Sequence, residues 1–174
     1  MLGFTMTGIK RMTFLNESTI NAIEKKLPVY LFKPVIWRSG ISILMKAVLN
    51  TFNNNRRIYF AASFEGMPKP SEIADEFYLH DNKYLMTSVD EVKINFDKFE
   101  LLEENIVFVK GWFCDPLPSF NLGPISVFGM DGDLYPTTIN ALKNLYYFVS
   151  VESYIIIDDY HSWQPCKNDV HRFF

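Results

Sequence analysis

The stretch ISVFGMDGDLYPTTINALKNLYYFVSVESYIIIDD, residues 125–159, decides the architecture. It opens on a short apolar run, Ile125–Met130, which follows a Gly-Pro turn and ends in DGD at 131–133, the marks of a buried strand. Pro136 suits the first turn of a helix, where its missing amide would have no partner anyway. Ile139, Leu142, Leu145, Tyr146 and Val149 supply that helix with an apolar face. Tyr154–Ile157, β-branched at three successive positions, reads as a further strand covered on both faces. Strand, helix and strand in this order predict neighbouring parallel strands joined by a right-handed crossover.

The same alternation extends toward the N-terminus. Tyr30–Trp37 is a short apolar run, weakened as a central strand by Pro34, and from Gly40 a helical stripe follows through Ile41, Leu44 and Val48. Arg57–Ser63 and Asn105–Phe113 are two more strand candidates. Between them, Ser88-Val89-Asp90-Glu91 is a capping box: the serine oxygen takes the Glu91 amide and the glutamate reaches back. Val89, Val92, Phe96 and Phe99 form the stripe of the helix behind it. The segment from Phe64 to Thr87, rich in Pro and charge, is longer than ordinary connections and is expected to be a lid or binding loop. The chain stops at Phe174 in what reads as the start of another helix. A mostly parallel α/β sheet of five strands, flanked by helices, is therefore expected, with any ligand beyond the carboxyl ends of the strands.

Composition bounds the partners. The 174 residues carry 17 basic and 20 acidic side chains, a net charge of −3, and 48% are hydrophobic, as in an ordinary single domain. A slightly acidic chain without clustered Lys and Arg argues against binding nucleic-acid phosphates. No apolar run approaches the ~18 residues of a membrane span, and the N-terminus lacks an export signal. Cys114 and Cys166 show no CxxC and read as reduced, buried thiols. The expected setting is cytoplasmic.

The chemistry-bearing residues gather at strand ends. Asp131 and Asp133 leave the fourth strand, Asp158 and Asp159 the fifth. Strands about 4.8 Å apart bring such carboxylates onto one rim. Carboxylates that close repel unless one is protonated or a cation lies between them. Oxygen donors without His or Cys select a hard cation, Mg²⁺ or Ca²⁺, over zinc. Asp is also common after strands as a cap or turn residue, so DxD alone is weak. His80, His161 and His171 show no ligand spacing and read as surface or hydrogen-bonded histidines. There is no Ser-His-Asp arrangement, P-loop or GxGxxG.

Seven segments, taken together and in order, resemble one family. They are TMTGIKRM at 5–12, IWRSGISILM at 36–45, ASFEGMP at 62–68, SVDEVKINF at 88–96, VKGWFCDPLP at 109–118, MDGDLYPTT at 130–138 and IIIDDYHSW at 155–163. The family is the macrocin O-methyltransferases, which methylate sugar hydroxyls of antibiotics and similar glycosides. The resemblance implies a class I, Rossmann-like fold, S-adenosylmethionine as cofactor, Mg²⁺ assistance and a small-molecule sugar or glycoside acceptor. By position it implies Asp131, Asp158 and Asp159 as metal ligands and Asp133 as general base. It places Gly40, Ser63, Phe64, Gly111 and Trp112 around the cofactor. The magnesium would orient adjacent substrate oxygens and acidify the hydroxyl, and the carboxylate would take its proton.

The chain also departs from that pattern. Lys33, Pro34, Val35 and Ser39 stand where the family carries an acidic residue and then glycines, with Gly40 retained. Ala62 replaces a ribose-binding aspartate, and Glu152 and Ser153 replace turn glycines before the fifth strand. The family's last two strands do not follow, which leaves the fifth strand as an exposed edge and a route to a homo-oligomer. The expectation is one domain over residues 1–174, incomplete at its C-terminus. A second expectation is a non-catalytic member or remnant of the family, and a third a metal-dependent DxD glycosyltransferase. The third explains Asp131 and Asp133 but not the WRSG or ASFEG segments.

Overall fold

A computed structural model describes residues 5, 7–27, 30–34, 39–66, 86–111, 123–130, 135–161 and 164–174. In chain order the elements are α1 (Ile9–Glu24), β1 (Tyr30–Pro34), α2 (Gly40–Thr51), β2 (Ile58–Ala62), α3 (Val89–Asp97), β3 (Ile106–Lys110), β4 (Ile125–Met130), α4 (Tyr135–Leu145), a 3₁₀ turn (Tyr146–Phe148), β5 (Val149–Ile157) and α5 (Gln164–Phe173). All five strands are parallel, in the order β3-β2-β1-β4-β5. The chain winds outward from β1 to β3, returns beside β1 with β4, and winds outward again. The crevice where the order reverses, between β1 and β4, is where such sheets bind ligands.

Strand alternation sorts the core into two layers. Leu31, Ile58, Phe60, Ala62, Ile106 and Val127 face α1, α2 and α3. Phe32, Tyr59, Ala61, Val109, Phe128 and Met130 face α4 and α5. Phe32, Phe60 and Phe128 are fully buried, each contributing about 2 kcal/mol by removal from water. Phe60 also packs on Phe96 of α3, ring centroids 5.5 Å apart. The capping box forms as expected: Glu91 N donates to Ser88 Oγ at 3.1 Å, and Ser88 N to the Glu91 carboxylate at 2.8 Å.

Several boundaries differ from the sequence reading. β1 ends at Pro34, β2 at Ala62 and β3 at Lys110, each short of the apolar run that announced it. Phe99 lies beyond the end of α3 and is exposed. Val149, counted on the face of α4, is the first residue of β5, because the 3₁₀ turn breaks the helical period at Tyr146. β5 is longer than Tyr154–Ile157 and is bulged: Ile125 pairs with Val149 but Val127 with Tyr154, so two steps on β4 match five on β5. Glu152, within that bulge, has a left-handed φ of 65°. Helix α1 was not expected at all. It covers the sheet through Leu15, Ser18, Thr19 and Ala22 and packs on α2, β4 and β5. Most of the expected lid and both Asp131 and Asp133 lie outside the described residues.

Candidate functional site

The carboxyl ends of the strands form one rim. On the β1 side, Ser39 adopts left-handed backbone, φ 71° and ψ 5°, and Gly40 opens α2 directly behind it. Ser39 is buried, and its hydroxyl has no hydrogen-bond partner among the described residues. A serine thus holds a conformation that ordinarily favours glycine. At the end of β2, Ser63 Oγ donates to the Gly66 carbonyl at 2.9 Å and accepts from Glu65 N at 3.1 Å, closing a tight turn. Phe64 within it is left-handed at φ 57°, and its ring is buried edge-on to Phe108. What Phe64 presents to the rim is therefore backbone. Gly111 leaves β3 with φ 148°, and its amide donates to the Ala62 carbonyl at 3.0 Å. Trp112 lies outside the described residues.

On the other side of the crevice, Asp158 N donates to the Met130 carbonyl at 2.9 Å, so the chain leaves β5 against the end of β4. The two strands are neighbours, as the carboxylate reading requires. The surroundings of the two aspartates were not expected. Asp158 Oδ2 lies 3.9 Å from the ammonium of Lys33, with both side chains nearly completely buried. Asp159 Oδ1 lies 3.7 Å from the Arg11 guanidinium of α1, and Arg11 is 41% exposed. Lys33, which stands where the family carries an acidic residue, is thus turned along the sheet toward β5. No local pattern signals that pair. Arg11 was missed together with α1, although Met12, Leu15, Thr19 and Ala22 carry that helix's spacing.

Among the described residues, no group of three or more His, Cys, Asp or Glu side chains is placed to hold a metal. His171 Nε2 and the Tyr160 hydroxyl share a hydrogen bond of 2.8 Å, and the exposed His161 meets the same ring edge-on. These are surface contacts, as expected for both histidines. His80 lies outside the described residues. No helix among the described residues is long and apolar enough to cross a membrane.

Residues 1–174 match the family described as Macrocin-O-methyltransferase (TylF). The chain belongs to this family. Within it, the chain is 36% identical to demethyldecarbamoylnovobiocin O-methyltransferase of Streptomyces niveus, over 97% of this chain and 67% of that protein. It is 38% identical to 8-demethyl-8-(2,3-dimethoxy-alpha-L-rhamnosyl)-tetracenomycin-C 4'-O-methyltransferase of Streptomyces olivaceus, with the same coverage. The chain therefore spans about two thirds of the length of these relatives. Among solved structures it superposes on the O-methyltransferase NovP with a TM-score of 0.95 at 37% identity, covering 99% of this chain and 74% of that one. The calicheamicin methyltransferase CalS11 shares the fold, with a TM-score of 0.78 at 13% identity. The expected class I, Rossmann-like architecture thus holds, with five parallel strands among the described residues.

Proposed function

We propose that this chain binds S-adenosylmethionine at the β1–β4 crevice and serves O-methyl transfer to a hydroxyl of a sugar or glycoside. The observation that carries the reading is the left-handed Ser39 ahead of Gly40. It keeps at the head of α2 the backbone turn that a methionine carboxylate needs, and its buried hydroxyl is available to a ligand. Gly111 and the Ser63 turn present backbone on the far side of the same rim. These features fit the amino-acid portion of the cofactor. Ala62 fits the ribose less well, since an apolar, buried residue offers no acceptor to its hydroxyls.

When bound, the cofactor supplies an electrophilic methyl group. The chain's part is to hold the acceptor oxygen in line with it and to take its proton, the role assigned to Asp133. Mg²⁺ fits less well than the cofactor. Both described aspartates of its expected ligand set, Asp158 and Asp159, already face basic side chains of this chain. No step is therefore derived through a metal. The rhamnosyl group in the name of the Streptomyces olivaceus relative supports a glycoside substrate here.

Titrating S-adenosylhomocysteine into the chain by calorimetry tests the reading. Saturable binding is expected, and Ala62→Asp is expected to tighten it about tenfold by restoring a charged acceptor. Absence of heat from both proteins would remove the catalytic reading and leave the non-catalytic one.

A further inference from the structure

We infer that Lys33 is a built-in counter-ion of the carboxylate rim, holding at Asp158 the electrostatic place that a divalent cation would otherwise take. The route of its side chain is specific. Phe32 pairs with Phe128, so Lys33 lies level with Gly129 of β4, which in turn pairs with Ile156 of β5. Gly129 leaves the passage open: a Cβ there would lie 3.2 Å from Lys33 Cδ and 3.9 Å from Leu15 Cδ1. The lysine stem therefore crosses β4 beneath α1 and delivers its ammonium 3.9 Å from Asp158 Oδ2, two residues beyond Ile156 on the same face of β5.

Burial separates this cation from Arg11. The Arg11 side chain is 41% exposed and can turn into water, whereas the Lys33 side chain is 4% exposed and has no such exit. A divalent ion bound to Asp158, about 2.1 Å from its oxygen, would meet an ammonium of the same sign within the same poorly screened space. Asp158 is instead countered from within the fold. This explains why carboxylates that predict a hard-cation site at the level of sequence occur beside a buried base. The inference concerns the rim's charge alone and is independent of whether the cofactor binds.

Mn²⁺ uptake, read from the electron paramagnetic resonance signal of the free ion at low salt, tests it without cofactor or acceptor. The wild-type chain is expected to bind Mn²⁺ with a Kd above about 1 mM. Lys33→Met, of similar volume and uncharged, is expected to tighten binding at least about tenfold. Adding Asp158→Asn should abolish that gain, and Arg11→Gln should change the wild-type affinity less than about twofold, since exposed charges are screened. Stoichiometric micromolar binding by the wild-type chain overturns the inference by itself, whatever the folding of the variants. An unchanged affinity in Lys33→Met overturns it too, as does a gain that survives Asp158→Asn or that Arg11→Gln reproduces.

Discussion

The two ends of the sheet are built differently. At the amino end, α1, α2 and α3 all terminate in the same turn, with Lys26, Asn53 and Glu100 left-handed at φ 53°, 49° and 56°. Each turn is closed by two backbone hydrogen bonds. Lys26 N donates to Ile23 O and Leu27 N to Ala22 O; Asn53 N to Asn50 O and Asn54 N to Leu49 O; Glu100 N to Asp97 O and Leu101 N to Phe96 O. This double closure satisfies carbonyls that a helix end leaves orphaned and holds side chains where glycine is usual. The buried Lys46 of α2 is paired there with Glu103 at 2.9 Å. At the carboxyl end, Ser39 and Phe64 are also left-handed but lack that paired bonding among the described residues, and the described ion pairs span 3.4 Å (Lys110–Glu65), 3.7 Å and 3.9 Å. Among the described residues, the doubly closed turns thus lie at the amino end, opposite the rim where ligand chemistry is expected.

The largest expected effect lies at the carboxyl end. Gly129→Val puts a branched side chain into the passage of Lys33 and should cost about 3 kcal/mol, since overpacking a filled layer forces its neighbours aside. Urea unfolding measures it. A cost below about 1 kcal/mol would mean that the lysine is free to leave, and the contrast in burial between Lys33 and Arg11 would lose its meaning. At the amino end the matching test is Glu103→Ala. It leaves the Lys46 ammonium buried without its carboxylate and should cost about 2 kcal/mol. Lys46→Met should cost less than about 1 kcal/mol, because Glu103 is 43% exposed and water takes over its solvation. Equal costs for the two changes would contradict the one-sided burial of that pair.

How much of this was legible depended on the range of the signal. The parallel sheet and the adjacency of β4 and β5 followed from Ile125–Met130, Pro136 and Tyr154–Ile157, because each is a local pattern with one reading. The Ser88–Glu91 box was equally local and formed as read. Helix α1 escaped because its start carries no signal: Gly8 caps it without a side chain, no acidic residue lies in its first turn, and Ile9 and Phe14 are exposed apolar residues that blur the stripe. The bulge at Glu152 hid the first half of β5, since a residue in left-handed backbone interrupts the alternation that announces a strand. At the site, carboxylates at strand ends could be read from spacing, but their partners Lys33 and Arg11 come from elements far away in the chain. Only the packing of β1, β4 and α1 brings them together.

Glycine substitutions sharpen the comparison at a smaller scale. Ser39→Gly should stabilise the chain by about 1 kcal/mol: it relieves left-handed strain and removes a buried hydroxyl, against the greater entropy of a glycine in the unfolded chain. Glu100→Gly relieves the same backbone strain in a turn that is already doubly bonded, so about 0.5 kcal/mol is expected. The difference between the two gains, read from thermal midpoints, measures how much less satisfied the carboxyl end is. A larger gain from Glu100→Gly would reverse the assignment of the two ends.

The smallest effect is electrostatic and belongs to the amino end. The Lys46 ammonium, and after it the Asn50 side-chain amide, hold the Glu103 carboxyl below its ordinary value of 4.5, with partial burial opposing them. Because the folded value is the lower one, the unfolded chain takes up the proton first. The stabilisation is complete above the ordinary carboxylate value and is lost as pH falls from there through the lowered folded value. Wild type and Glu103→Gln should therefore differ in urea midpoint at neutral pH and converge as pH falls below the ordinary carboxylate value, the difference shrinking further in about 0.5 M salt because Glu103 is half-exposed. A difference that stays constant across that range would show that the Lys46–Glu103 pair holds by packing and hydrogen-bond geometry instead of charge. The amino end would then owe its firmness to its three closed turns alone, and the contrast with the rim would be one of backbone satisfaction.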